Sequence, residues 1–344
     1  MARRLLWASL ALAPVAMLAD WVFHVGKVPL FILAACALIP LAWLIGEATE
    51  HAGEHTGPRI GGLLNASFGN APELIIALIA VADQLPDVVR GSMAGSVVSN
   101  ILLVLGVAMA VGPEARLDRR SLLGQLLLVF IAVLVLLIPS IPGWSGDPNR
   151  HSLAVLSIGP SVVLLVLYLV VTIRSLRRQQ PQESEGTGWS LSAAIVALGV
   201  ATAATAAISE ILVHSLTAFA DAAGLSEFFI SVVIVAIVGN AAEHGGAIVI
   251  ARRGKMKLAT EIAVSSSAQV ALFVIPVVTL LSFLFAHPLT LAFRPIELAT
   301  MGIAAAFVAF VIRDGRSRRW EGYLLIGVYA AMVVLFYAAG ERGG

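Results

Sequence analysis

Gly69-Asn70-Ala71-Pro72-Glu73 recurs as Gly239-Asn240-Ala241-Ala242-Glu243, 170 residues further along a chain of 344. At the same offset Ala77 meets Ala247, Ser96 meets Ser266, Leu102 meets Leu272 and Val104 meets Val274. Ser99 falls opposite Gln269, so polarity is kept where identity is lost. Each copy carries one carboxylate and one amide inside apolar sequence. Ionisable side chains at membrane depth are costly, and by default they mark function.

Composition sets the medium. The chain is 59% hydrophobic and 12% charged, against roughly 25% charged in soluble domains. A mean hydropathy of +0.94 excludes a soluble enzyme. The net charge of +1 and the lack of a basic tail give no expectation of a nucleic-acid partner. Cys36 is the one cysteine, lies in an apolar run, and reads as packing.

A spanning helix needs about 20 mainly apolar residues. By that rule the sequence predicts an all-α polytopic membrane protein with about eleven spans, near 5–23, 28–47, 59–83, 88–112, 120–140, 151–173, 189–220, 226–252, 257–284, 290–312 and 320–340. The third and eighth are interrupted by the repeated motif. The first also has the pattern of a secretory signal: Arg3 and Arg4, an apolar stretch, then Met17-Leu18-Ala19; such segments are cleaved, and 1–19 carries that second reading. With the N-terminus inside, seventeen of the 22 Lys and Arg fall on inside segments. The positive-inside rule then puts the N-terminus in the cytoplasm and the C-terminus outside. Lys27, Arg90, Arg150, Arg294 and Arg342 make up the outside set.

A leading segment (1–27), a first set of five spans (28–173), a linker (174–188) and a second set of five (189–344) account for the chain. A unit with an odd number of spans re-enters the membrane inverted when repeated. Inverted repeats place a shared site near the bilayer midplane. The linker, rich in Gln, Glu and Gly, reads as a flexible cytoplasmic loop.

Within the first motif, Pro72 lacks an N–H and clashes with the carbonyl of Phe68, so the helix breaks there. Unpaired carbonyls are tolerated in hydrocarbon only where they line a cavity or meet an ion. Asn70 and Glu73 are spaced i, i+3 and share a face. Carboxylate, amide and carbonyl oxygens are ligands for a hard cation such as calcium. In the second motif Ala242 replaces Pro72, and Gly245-Gly246 is the expected breaker; Asn240 and Glu243 keep the spacing. The following spans add Ser92, Ser96, Ser99 and Asn100 in one half, and Ser265, Ser266 and Gln269 in the other. Ser, Asn and Gly also serve plain helix packing in membranes. Two matched glutamates have no such inexpensive role.

Other ionisable groups are more ambiguous. Glu47, Glu50, His51, Glu54 and His55 cluster at one end of the second span, and His51-Ala52-Gly53-Glu54-His55 formally matches the inverted-zincin pattern. A metallopeptidase needs a further ligand, and nothing downstream marks one. Glu50 and Glu210 are candidates for a proton path or gating, the latter with His214 one turn on. His244 adjoins Glu243, placed either to tune it or to hydrogen-bond in the core.

The paired motifs, Gly69 to Ile75 and Gly239 to His244, resemble those of the calcium/proton exchangers (CAX) of the calcium/cation antiporter superfamily. The resemblance extends through Gly95-Ser96-Val97-Val98-Ser99-Asn100 and Gln269 to Pro276 and covers most of the chain. It implies one leading helix before two inverted five-helix repeats with broken motif helices. It also implies calcium and protons as transported ions in a prokaryotic inner or plasma membrane, no resident cofactor and no catalytic residue. Carried over by motif, Glu73 and Glu243 are the calcium and proton carboxylates. Asn70, Asn240, Ser96, Ser266, Gln269 and Ser99 support them, and Glu50 and Glu210 resemble positions on mobile gating helices. Family members commonly carry an acidic helix between the halves; here the linker has only Glu183 and Glu185 beside Arg174, Arg177 and Arg178. A sodium-coupled exchanger of the same architecture and a channel remain open as readings of the residues, and oligomeric state is not indicated.

Overall fold

The structure, a computed structural model, describes residues 2–178 and 188–340. The centre of the expected linker (179–187) and the expected outside residue Arg342 lie outside the described residues. Two short helices, α1 (Ala2–Ser9) and α2 (Leu12–Trp21), precede α3 (Lys27–Phe68). At Gly57, with φ 84° and ψ 167°, α3 turns back on itself. A Cβ on Gly53 would sit 3.0 Å from the Gly61 Cα, so the two limbs touch backbone to backbone. Next come α4 (Ala71–Ala82), α5 (Pro86–Val98), a π-helical stretch (Ser99–Val104) and α6 (Leu105–Val111). A short strand β1 (Ala115–Arg116) leads into α7 (Arg119–Gly143) and α8 (His151–Arg178).

The second half opens with α9 (Leu191–Ala223) and α10 (Glu227–Phe229), followed by a π-helical stretch (Ile230–Val235) and α11 (Ala236–Gly239). Then follow α12 (Ala241–Arg252), α13 (Met256–Gln269), a π-helical stretch (Val270–Val274) and α14 (Ile275–Leu281). Helix α15 (Pro295–Val311), strand β2 (Arg316–Ser317) and α16 (Arg319–Ala339) complete it. The two strands pair antiparallel, Ala115 with Ser317 and Arg116 with Arg316.

Among the described residues eight helices are long and apolar enough to cross a membrane, and Glu227–Gly239 with Ala241–Arg252, bent by 59°, makes a ninth if counted as one span. Leu5–Trp21 and Ala71–Ala82 are shorter apolar helices. The expected third span is thus divided, its two parts separated by Gly69 and Asn70. Helices α4, α5 and α13 are largely buried at the centre, with α12 partly buried against α13; α3 and α9 pack along each other beside them. On α7, α8 and α16, side chains such as Leu127, Val166 and Val334 face outward, as a lipid-facing surface requires.

The two helix breaks have different causes. Pro72 takes the second position of α4, where its missing N–H costs nothing. The second motif breaks without a proline: the Asn240 side-chain amide donates to the carbonyl of Ala236 at 2.9 Å, taking the acceptor that a continuous helix would fill from its own backbone. Gly245 and Gly246, the breaker expected from sequence, lie inside α12 instead. Arg90, expected among the outside segments, is fully buried. Its guanidinium donates to Asp87 (2.7 Å), to Asn149 (3.0 Å) and to the Thr290 carbonyl and hydroxyl (3.1 and 2.9 Å), tying α5 to two distant loops.

Asp118 caps α7 by accepting from the Ser121 N–H at 3.2 Å, and it pairs with Lys257 at 3.3 Å. The Ser121 bond first, and Lys257 second, hold its carboxyl below the ordinary Asp value. A depressed pKa stabilises the fold above the unfolded-state pKa, and that stabilisation disappears as pH falls through the folded-state pKa. Asp118→Ala is therefore expected to cost about 1 kcal/mol at neutral pH. The difference in thermal midpoint between wild type and variant should shrink towards zero in acid; a difference independent of pH would refute the charged cap.

Candidate functional site

The two motifs meet where the halves interlock. Asn70 donates to the Gln269 side-chain oxygen at 2.7 Å, across 199 residues of sequence. Asn240 donates to the Ser96 hydroxyl at 2.8 Å, and Asn100 donates to the Asn240 oxygen at 3.1 Å and to the Ser266 hydroxyl at 2.9 Å. Ser266 in turn donates to Glu243. Each of these amides is held by a residue of the other half, so the site exists only when both halves are folded together. The Ser267 hydroxyl adds a bond to the Val97 carbonyl at 3.0 Å.

Glu73 sits differently. It is 9% exposed, and neither carboxylate oxygen has a hydrogen-bond partner among the described residues. Its side chain lies against Gly239, where an added Cβ would come within 3.3 Å of the Glu73 Cγ. It also lies within electrostatic reach of Glu243. Beside it is a small cavity lined by Glu73, Ile76, Ser92, Ser96, Gly239 and Val270. About 10 Å³ there is open to the centre of a water-sized sphere, space for roughly one water or one bare ion. A buried carboxylate with no partner carries a large desolvation cost unless a counter-ion arrives.

Of the residues expected from sequence, Glu73, Glu243, Asn70, Asn240, Ser96, Ser266 and Gln269 are brought together. Ser99 bonds within its own helix, donating to the Ser96 carbonyl at 3.2 Å. It begins one π-helical stretch, and Gln269 immediately precedes the corresponding one. Such local widenings of a helix are frequent at functional sites. Glu50 and Glu210 are exposed on α3 and α9. His214 does not serve Glu210; it pairs with Asp83 at 3.0 Å. His51 and His55 do not converge: His51 meets Glu54 at 3.3 Å and stacks on Trp189, whereas His55 bonds the Trp189 carbonyl at 2.8 Å.

Two residues gain a defined place. His244 bonds the Asn100 oxygen at 2.8 Å. Since Asn100 donates elsewhere through its nitrogen, its oxygen accepts here and the His244 Nε2 carries the hydrogen. Asn100 thus touches His244, Asn240 and Ser266 together. Its counterpart at the 170-residue offset is Val270, so the repeat gave no signal for it. Asn100→Leu would strand several buried polar groups at roughly 1–3 kcal/mol each. A lowered thermal midpoint and at least ~10-fold slower ion uptake are expected; an unchanged rate would remove Asn100 from the site.

The sodium/calcium exchanger protein family matches residues 27–177 and 193–338, which takes in both motifs. The Ca(2+)/H(+) antiporter ChaA of Bacillus subtilis (strain 168) is 40% identical over 91% of this chain and 93% of its own. The Ca(2+)/H(+) antiporter of Aphanothece halophytica is 33% identical over 94% of each. The solved structure of native YfkE superposes with a TM-score of 0.83 at 36% identity, covering 98% of this chain and all of that one. The H+/Ca2+ exchanger CAX structure, at 18% identity and a TM-score of 0.75, shares the fold. The chain belongs to the sodium/calcium exchanger protein family, in its calcium/proton exchanger branch.

Proposed function

We propose that this protein is a calcium/proton antiporter that expels calcium from the cytoplasm in exchange for protons. The observation that carries the reading is a buried carboxylate of the first half, Glu73, lining an ion-sized cavity against Gly239 of the second motif and within electrostatic reach of Glu243. Two bare carboxylates in so poorly solvated a place are costly together. Either one divalent cation or two protons neutralises them, so occupancy by one excludes the other. The pair titrates as a unit. Only the neutralised forms cross between the two open states, which couples calcium to protons in the opposite sense.

The site is held by Glu73 and Glu243 as ion ligands, with Asn70, Asn240, Ser96, Ser266 and Gln269 supporting them. Eleven spans are proposed: a leading helix, then inverted repeats at 28–173 and 189–344 joined by the 174–188 linker, with the N-terminus cytoplasmic. The close packing of α3 on α9 beside the motif helices supports a moving pair that opens the site to either side in turn. Glu50 and Glu210 on that pair are the proposed proton-path groups. Names of relatives support the substrate pair: ChaA is called a Ca(2+)/H(+) antiporter. The test is calcium uptake into reconstituted vesicles under an imposed pH difference with sodium absent. Uptake that follows the pH difference and stops when it is collapsed is expected; uptake that needs a sodium gradient would overturn proton coupling.

A further inference from the structure

Away from the ion site, the ends of several helices meet on one face of the molecule, where α6 passes into β1 and α12 turns into α13. The cavity there, about 530 Å³, is lined by Arg116, Lys255, Met256, Lys257, Leu258 and Glu261 among others. That is within the ~300–1,000 Å³ usual for small-ligand sites. Three cations face it against one carboxylate. Lys257 is committed to Asp118. Arg116 and Lys255 are exposed and form no ion pair among the described residues.

The strand pair adds an independent concentration of positive charge. Arg116 lies directly opposite Arg316 in the β1–β2 ladder. Like charges set face to face across strands repel. Asp314 and Glu321 pair with Arg318 at 2.6 and 2.9 Å, Asp314 also accepts from the Arg316 backbone N–H at 3.0 Å, and Glu261 is the one carboxylate in the cavity wall. An anion between the ribbon and the start of α13 would relieve the arrangement.

The chemistry of the rim selects the source of that anion. Leu258, in the cavity wall, is 47% exposed, and in α16, the helix that follows β2, Trp320 and Tyr323 are 59% and 65% exposed. The Arg313 guanidinium, three residues before β2, lies 3.9 Å over the Phe310 ring. Exposed Trp and Tyr beside basic residues mark the depth of lipid headgroups. A free phosphate would use the cations and leave Leu258 in water. A diacyl lipid uses both. We propose that this cavity binds the headgroup phosphate of an anionic phospholipid, with Arg116 and Lys255 as its principal cations and Leu258 against the acyl chain.

The full-length protein, carried with equal amounts of phosphatidylglycerol and phosphatidylcholine into native mass spectrometry, tests this. Preferential retention of phosphatidylglycerol is expected, and Arg116→Gln/Lys255→Gln should reduce it about fivefold per charge removed, roughly 25-fold for the pair. Arg116→Lys/Lys255→Arg should retain it, and millimolar inorganic phosphate should not displace it. Should the neutral double variant fail to fold, the wild-type chain still decides: amides of residues 253–258 should exchange more slowly in phosphatidylglycerol nanodiscs than in phosphatidylcholine. Equal retention of the two lipids, an unaffected neutral variant, unchanged exchange, or displacement by phosphate would each overturn the proposal.

Discussion

Replacing Glu73 by glutamine is expected to abolish proton-driven calcium uptake while leaving the protein folded. Both Glu73 oxygens are without hydrogen-bond partners among the described residues, so an amide of the same shape loses none of the bonds seen and removes one buried charge. Thermal stability should hold or rise, because an uncompensated buried carboxylate is costly. Transport depends on what the amide lacks. A hard divalent cation is held by the number of charged oxygens around it, and a glutamine carries no exchangeable charge. A loss of about 3 kcal/mol in binding is ~100-fold in affinity, and the return step on two protons fails outright. Glu243→Gln should match it in transport but not in stability, since Glu243 accepts a bond from Ser266 that an amide can receive only in one orientation. Uptake assays in vesicles and melting curves of the purified variants check both halves. Full proton-driven uptake by either variant would end the shared-carboxylate scheme.

The second large effect concerns folding. Gly91 and Gly95 lie one turn apart on α5 and face the π-helical stretch Ile230–Val235. A Cβ at Gly95 would lie 1.9 Å from the Val232 carbonyl oxygen and 2.9 Å from the Ala236 Cβ; one at Gly91 would lie 2.4 Å from the Ser231 hydroxyl. The first clash is with backbone, which cannot swing aside. Small residues at such crossings let membrane helices approach closely. Gly95→Ala is expected to cost about 1–3 kcal/mol, the usual penalty of overpacking, with the backbone contact placing it at the upper end. Gly95→Val should leave little folded protein. Gly327→Ala is the control, because nothing lies within 4 Å of a Cβ there. Yield of monodisperse protein and thermal midpoint measure the contrast; a Gly95→Val chain as stable as wild type would contradict this crossing. The site would be lost too, since Ser96 adjoins Gly95 and binds Asn240.

How far the sequence reaches is seen at particular residues. Glu73 and Glu243 were legible because the repeat is an internal control: two carboxylates at matched places in apolar sequence are too costly to be incidental. The break in the first motif was legible because proline acts locally, whatever surrounds it. The break in the second was misplaced onto Gly245 and Gly246, since the agent is the Asn240 side chain and its bond to Ala236. Asn100 was seen only as part of a polar stripe, because its counterpart Val270 is apolar and the repeat is silent there. Arg90 read as an outside charge; its partners Asn149 and Thr290 are 59 and 200 residues away.

From the sequence alone come the apolar spans, the doubled motif and its acid–amide chemistry. These are set by hydropathy, by residue type and by spacing along one helix, all of which are local. The tertiary structure alone decided which amide serves which half, that Glu243 has a bonding partner while Glu73 has none among the described residues, and which arginine is buried. Those outcomes depend on contacts between segments 23 to 200 residues apart, and no local period of a chain encodes the partner that folding brings from another helix.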